Sequence, residues 1–216
     1  ETYISFSIHI NHFFKIIFLD SFRFLSSSID KLSQTLSENA LVRTRKICKT
    51  EEQFKIARRK AVFCYDYVNE DSKLNDTCPP PREKFFNKLT DQDISDEDYN
   101  RFCETWRVFD FKNLGEYIDF YLKLDVCLLS DIFEEFRGYC HKNYNLDCAN
   151  YYTLPGFAFD AFLKMTGIKI RLIDDYDKIL MLSSAIRGGI SQSVMRYAVA
   201  NNPYIPETYD PTKPNS

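Results

Sequence analysis

The chain has 216 residues, 44% hydrophobic and 16% aromatic, a composition that excludes a disordered tail and leaves room for one or two cores. Its 31 acidic residues outnumber 28 lysines and arginines, for a formal net charge of -3, which excludes a general basic coat for nucleic acid and makes any polyanion site local. Seven cysteines with no C-x-x-C pair argue against a zinc cluster or disulfide framework, and for reduced thiols in an intracellular protein.

In chain order, "ISFSIHINHFFKIIFL" is apolar but broken by His9, Asn11, His12 and Lys15. It is too interrupted to span a membrane and lacks a signal-peptide layout, so no membrane partner is expected. His9 and His12 have no Cys or His neighbour to complete a metal site. The sequence opens on Glu1 and stops at "DPTKPNS", and so reads as a piece of something longer. "KIIFLDSF", residues 15 to 22, has the β-branched and aromatic content of a strand, and Ser28 then offers an N-cap to a helix carrying Ile29, Leu32 and Leu36.

Residues 43 to 60 hold "RTRK" and "KIARRK", the dense basic stretch, with a helix expected from about Glu51 to Arg59. A solvated helix face and a local polyanion site are both open readings there. From 69 to 94 the chain turns polar, and the three prolines of "CPPPREK" forbid regular helix or a central strand, so a surface excursion is expected. "SDEDYNRFCETWRVF" is a helix with Ser95 as N-cap, and its acids Asp96, Glu97 and Asp98 lie where the helix dipole favours them.

A long helix is expected from about Asn113 to Tyr139, with Gly138 near its end. Its stripe through Ile118, Tyr121, Asp125, Leu128, Ile132 and Phe136 is apolar or aromatic except at Asp125. "TLPGFAFDAFLKMTG" has Pro155 early and Gly167 last, the signature of another helix. "IDDYDKILMLSSAIRGG" gives one more, headed by Asp174 and Asp175 and stopped by two glycines, and "ISQSVMRYAVAN" alternates as a strand.

Residues four apart on a helix project together, so Tyr121 and Asp125 present a phenol and a carboxylate to one place. A lone buried carboxylate is costly unless a cation or metal ion compensates it. The residues alone leave two readings: a boundary aspartate that reaches solvent, or a functional one at the mouth of a cleft.

"YLKLDVCLLSDIF" resembles the third exonuclease motif, Tyr-x-x-x-Asp, of family B DNA polymerases in their protein-primed branch of viruses, organellar plasmids and self-synthesising transposons. Further similarities follow in the family's order. "FLDSFRFLSSSIDKL" looks like the segment whose Ser-hydrophobic-x-x-hydrophobic core contacts the primer end, here Ser21, Phe22, Arg23, Phe24 and Leu25. "KAVFCYDY" is similar to the Lys-x-x-hydrophobic stretch, with Lys60 and Phe63 in its two places, and "NYNLDCANYYTLPGFAFDAFLKMTG" looks like the connector after the exonuclease domain. "AIRGGISQ" is similar to the Tyr-x-Gly-Gly motif between exonuclease and polymerase domains, with Ile186 in the tyrosine's place.

The resemblance implies an α/β chain: the C-terminal part of a ribonuclease H-like 3′-5′ exonuclease over 1–145, a helical connector over 146–190, and the start of a polymerase palm over 191–216. It implies that Asp125 is a ligand for Mg²⁺ or Mn²⁺ in a two-metal scheme, that Tyr121 orients water or phosphate, and that Lys60 assists. Ser21 and Phe22, and Arg187, Gly188 and Gly189, would contact the primer strand. Phe22 and Phe24 would offer stacking faces to unpaired bases, with plain core aromatics on a strand as the other reading. The implied partners are DNA, deoxynucleoside triphosphates and a protein primer. The remaining acidic ligands are expected upstream of Glu1, so residues 1–216 alone are expected to catalyse neither reaction. Two rivals stand beside this reading: a non-catalytic transposon relic with weak DNA binding, and a stand-alone nuclease, which would need an acidic pair that these residues do not offer.

Overall fold

The computed structural model describes residues 5–189, 192, 197 and 199–213. The chain divides into two units, Glu1–Ile168 and Lys169–Ser216.

The first unit begins with a hairpin of β1 (Ser5–His9) and β2 (Lys15–Leu19), antiparallel, with Ser5 opposite Leu19 and His9 opposite Lys15. The Asn11 side chain accepts the Phe13 and Phe14 N–H groups at 2.9 and 2.8 Å, the local bond that makes asparagine a turn former. Phe6 and Phe18 stack across the strands. Alternate positions point to opposite faces of a strand, and here Ile8, Ile16, Ile17 and Phe18 are all exposed.

Three short helices follow, each started by its own logic. α1 (Ile29–Thr35) is capped by Ser28, whose hydroxyl accepts the Lys31 N–H, and α3 (Glu51–Ala57) by Thr50, which accepts that of Gln53. Between them, α2 (Val42–Lys46) starts at Leu41, which has no capping side chain. The proline-rich region contains only the 3₁₀ turns Asp71–Asn75 and Arg82–Phe85 and a single bridge between Asn87 and Gln92. It is more than a surface excursion, because Pro80 and Phe85 are buried. Phe85 packs edge-on against Phe102 and Tyr99, so two apolar anchors hold an otherwise polar strap.

α4 (Asp96–Phe109) starts at Ser95, which accepts the Asp98 N–H at 3.1 Å. α5 (Leu114–Tyr144) is the spine, with Asn113 as its N-cap. It supplies Tyr117 and Tyr121 to a cluster with Phe85, Phe102 and Trp106, and Phe120, Leu124 and Leu128 to a second with Leu41 and Phe54. Its C-terminal part supplies Cys140, Phe133 and Phe136 to a third cluster with Phe24 and Phe157. The helix does not stop near Gly138 as expected. It runs to Tyr144 and ends at Asn145, whose φ of 51° is left-handed and whose N–H bonds the His141 carbonyl. Gly138 is therefore an interior, exposed helix position at which a Cβ would meet nothing within 4 Å. Gly138→Ala should raise stability by about 0.5–1 kcal/mol in urea unfolding, and a loss would show a contact made by the bare backbone.

α6 (Leu154–Thr166) has Pro155 in its first turn and ends at Gly167, whose φ of 65° suits glycine. In the second unit, α7 (Tyr176–Ala185) is capped by Asp175, which accepts the Asp177 and Lys178 N–H groups. It ends at Ala185, before the glycine pair, with Ile186 extended at ψ 96°. The strand expected over 190–201 lies largely outside the described residues. The described part is thus mixed but mostly helical, and its sheet is the hairpin. None of its helices is long and apolar enough to cross a membrane.

Candidate functional site

The extended segment after α3 is fastened to one face of α5. The Tyr117 hydroxyl donates to the Val62 carbonyl, and one turn later Tyr121 packs on the Phe63 ring, centroids 4.7 Å apart. The Tyr65 and Tyr121 hydroxyls are 2.9 Å apart. These contacts deliver Lys60 to the next turn of the helix, where its Nζ lies 3.4 Å from Asp125 Oδ2 and 5.7 Å from the centre of the Tyr121 ring. The three residues singled out as catalytic therefore converge, from segments far apart in sequence.

Asp125 is partly shielded, its side chain 21% exposed. Lys60 compensates one carboxylate oxygen, while Oδ1 is buried with no hydrogen-bond partner. An orphaned buried acceptor is costly. The Tyr121 phenol is pushed well above the ordinary tyrosine range, first by burial, then by its bond to Tyr65 and the negative charge of Asp125. It is therefore a neutral O–H donor. The raised folded pKa means that above about pH 10 the unfolded chain releases a proton which the folded chain keeps, so this residue's contribution to stability falls as pH rises. A difference titration of the chain and Tyr121→Phe by ultraviolet absorbance should find Tyr121 silent while exposed tyrosines ionise; ionisation with the bulk would show that the phenol is open to water.

Ser21 and Phe22 lie in a 3₁₀ turn, Ser21–Arg23, fixed by Asp20, which accepts the Phe22 N–H at 3.0 Å. The turn faces α5 beyond Asp125. An apolar cavity of about 330 Å³ is lined by Leu19, Ser21, Val126, Leu129 and Phe133, and a neighbouring one of about 210 Å³ by Ser21, Phe22, Leu25 and Leu129. The two aromatics of this motif have different fates. Phe22 is 59% exposed, whereas Phe24 is buried against Phe133 and Phe136 and offers no stacking face. Arg187, Gly188 and Gly189 lie in the second unit, exposed, with the Arg187 Nε donating to the Ser184 carbonyl. Cβ atoms at either glycine would meet nothing within 4 Å.

The family described as DNA polymerase type B, organellar and viral, has a sequence model that matches residues 1–197. The chain belongs to this family. Among its relatives, a probable DNA polymerase of Neurospora intermedia is 22% identical over 152 residues, which is 70% of this chain and 14% of the relative. A probable DNA polymerase of Ascobolus immersus is 24% identical over 153 residues, 69% of this chain and 11% of the relative. The chain thus spans only a small part of the length of the curated relatives it matches. No solved structure matches it.

The sequence resemblance implies a divalent metal ion at Asp125. Asp125 fits such an ion as one hard oxygen donor, its buried Oδ1 still wanting a positive partner. Among the described residues no group of three His, Cys, Asp or Glu side chains is placed to hold a metal ion, so a two-metal site is not complete within them.

The arginines of the basic stretch are drawn into ion pairs, whereas its lysines Lys46, Lys49 and Lys55 are exposed. Arg45 pairs with Glu51, Arg58 with Glu38, and Arg59 with Asp30 and Glu97. Two residues that sequence reasoning missed matter here. Tyr65 could have been found from its alternation with Phe63, which puts both on one side of an extended segment. Asp131 is fully buried on α5, and accepts the Arg43 and Thr44 N–H groups.

Proposed function

We propose that this chain supplies a metal-binding carboxylate and part of the primer-end groove of a 3′-5′ proofreading exonuclease, with its connector towards the polymerase, in a protein-primed type B DNA polymerase acting in DNA replication. The observation that carries it is the meeting of Lys60, Tyr121 and Asp125 on one turn of α5. The ribonuclease H-like fold of that exonuclease, the domain limits near 145 and 190, and the palm beginning near 191 belong to the same proposal.

Asp125 would hold Mg²⁺ or Mn²⁺, with further carboxylates from elsewhere in the protein. When bound, such ions supply an activated water and stabilise the leaving oxygen. Tyr121, kept neutral by burial and Asp125, donates its O–H to a phosphate oxygen or the attacking water. Tyr65 orients that hydroxyl. Lys60 pairs with Asp125 and would offer its charge to the scissile phosphate. The unpaired primer end runs along the apolar groove, with Phe22 as a stacking face. Arg187 and the glycine pair meet the primer strand as it passes between sites, where the lack of a Cβ lets backbone amides approach phosphates. Deoxynucleoside triphosphates and a protein primer are substrates of the whole enzyme.

The test uses the longer protein that contains this chain, a single-stranded oligonucleotide labelled at its 5′ end, and Mg²⁺. Asp125→Ala should reduce 3′ shortening by about 10²–10³-fold, the loss typical of removing one transition-state charge stabiliser, while extension of a paired primer persists. Undiminished shortening by the variant would sink the assignment. Residues 1–216 alone should show no metal-dependent turnover, and turnover abolished by Asp125→Ala would equally overturn the division of the site.

A further inference from the structure

Three consecutive cations follow α3, and each reaches a carboxylate on a different part of the fold. Arg58 Nη1 lies 2.6 Å from Glu38 Oε1, in the turn ahead of α2. Lys60 Nζ lies 3.4 Å from Asp125 Oδ2 on α5. Between them, Arg59 spans two helices: its Nε lies 3.6 Å from Asp30 Oδ1 on α1, and its Nη1 lies 3.7 Å from Glu97 Oε1 on α4.

The Asp30 end of this bridge is built into the fold. Gln34 Nε2 donates to Asp30 Oδ2 at 2.8 Å, which leaves Oδ1 to the guanidinium. Asp30 Oδ1 and Arg59 Nε are both buried and neither has a hydrogen-bond partner, so what compensates each is the opposite charge of the other. Ion pairs open to water contribute little, but atoms shielded from water hold each other more firmly. Asp30 sits between Ile29 and Leu32, which line the apolar cavity beside Phe22. The bridge therefore joins a wall of that groove to the residue next to Lys60.

We propose, resting on the exonuclease reading of Asp125, that Arg59 is a positioning residue: by tying the end of α3 to α1 and α4 it sets Lys60 against Asp125 and the scissile phosphate. Successive Cα atoms are about 3.8 Å apart, so fixing Arg59 fixes the origin from which the flexible lysine stem must reach. An arginine suits the task. Its planar fork turns Nε to one acceptor and Nη1 to another, whereas a lysine has one ammonium to place.

The experiment uses the longer protein that contains this chain, a single-stranded oligonucleotide labelled at its 5′ end, and Mg²⁺, and separates kcat from KM for 3′ shortening. Arg59→Gln should lower kcat about 10-fold and change KM less than about twofold, because a catalytic group is misplaced while binding is kept. Extension of a paired primer should persist. Arg59→Lys keeps the charge without the bridge, and its loss should be about threefold. Asp30→Asn weakens the same tie from its other end and should reproduce the Arg59→Gln loss, so the test does not hang on one variant. In a Lys60→Gln background, Arg59→Gln should cost less than about twofold more, since residues that act through one another are not additive. A full 10-fold loss on top of Lys60→Gln would overturn the proposal, as would unchanged kcat in Arg59→Gln, or equal loss of shortening and extension. Undiminished shortening by Asp125→Ala would instead overturn the exonuclease reading itself, so the two failures are told apart.

Discussion

Asp131→Ala should lower the stability of the chain by about 3–5 kcal/mol, the range seen when one member of a buried, hydrogen-bonded charge cluster is removed. The first N–H groups of any helix need acceptors from outside the helix. α2 begins at Leu41, which offers no side-chain oxygen. Asp131 provides the acceptors from α5: its two oxygens lie 3.0 and 3.1 Å from the Arg43 nitrogen, and Oδ2 lies 2.9 Å from that of Thr44. The Arg43 guanidinium approaches the same carboxylate at 3.4 Å, while the carboxylate side chain is 0% exposed. Alanine would leave donors stranded beside a small void. Asp131→Asn keeps the shape but sets an amide N–H₂ among donors, and should cost about 1.5–3 kcal/mol. The free energies come from urea unfolding curves. A change below about 1 kcal/mol for alanine would mean that water reaches the start of α2 and replaces the carboxylate.

Phe102→Ala should cost about 3–5 kcal/mol, the usual range for deleting a buried aromatic ring. Phe102 is 0% exposed and sits between α4 and α5. Its ring meets Tyr117 at 4.7 Å and Phe85 at 4.8 Å, both edge-on, with Trp106 at 6.1 Å. The loss should spread beyond packing. Tyr117 holds the Val62 carbonyl, and so the segment that carries Lys60. Phe85 anchors the proline-rich strap. Near-ultraviolet circular dichroism should therefore lose aromatic signal across the cluster before the chain melts, and native protein digested lightly with protease should be cut within 69–94. A variant that loses stability but keeps this strap uncut would show that Pro80 and the Phe85–Tyr99 contact hold it without Phe102.

The helix starts and stops were legible where the physics is local. Ser28 and Ser95 meet N–H groups three residues on, and Gly167 takes a backbone angle that it tolerates better than other residues. Gly138 misled because a glycine signals a helix end only by propensity. Packing of Phe133, Phe136 and Cys140 on both sides of it carries α5 onward to Asn145. Phe85 was hidden because the composition of its neighbourhood is polar on average, while burial is decided residue by residue.

For the site, periodicity marked Asp125 as out of place but could not name its partner. Lys60 came from the family resemblance, and an ion pair between distant segments leaves no period to read. Asp131 is invisible on its own helix. The clue lay elsewhere, in a helix at "VRTRK" preceded by Leu41 where a Ser, Thr, Asp or Asn would ordinarily serve. A helix without its own cap implies an acceptor supplied by another element.

Because α5 contributes to all three clusters and also carries Tyr121, Asp125 and Asp131, the chain has one element whose length is fixed more strictly than its composition. Inserting one residue between Tyr121 and Asp125 would turn everything after it by about 100°. Asp125 would leave Lys60, Asp131 would leave α2, and Leu128 and Cys140 would swing out of their cores together. Insertions and deletions among related sequences should therefore gather in the 69–94 strap and the hairpin turn, and spare α5.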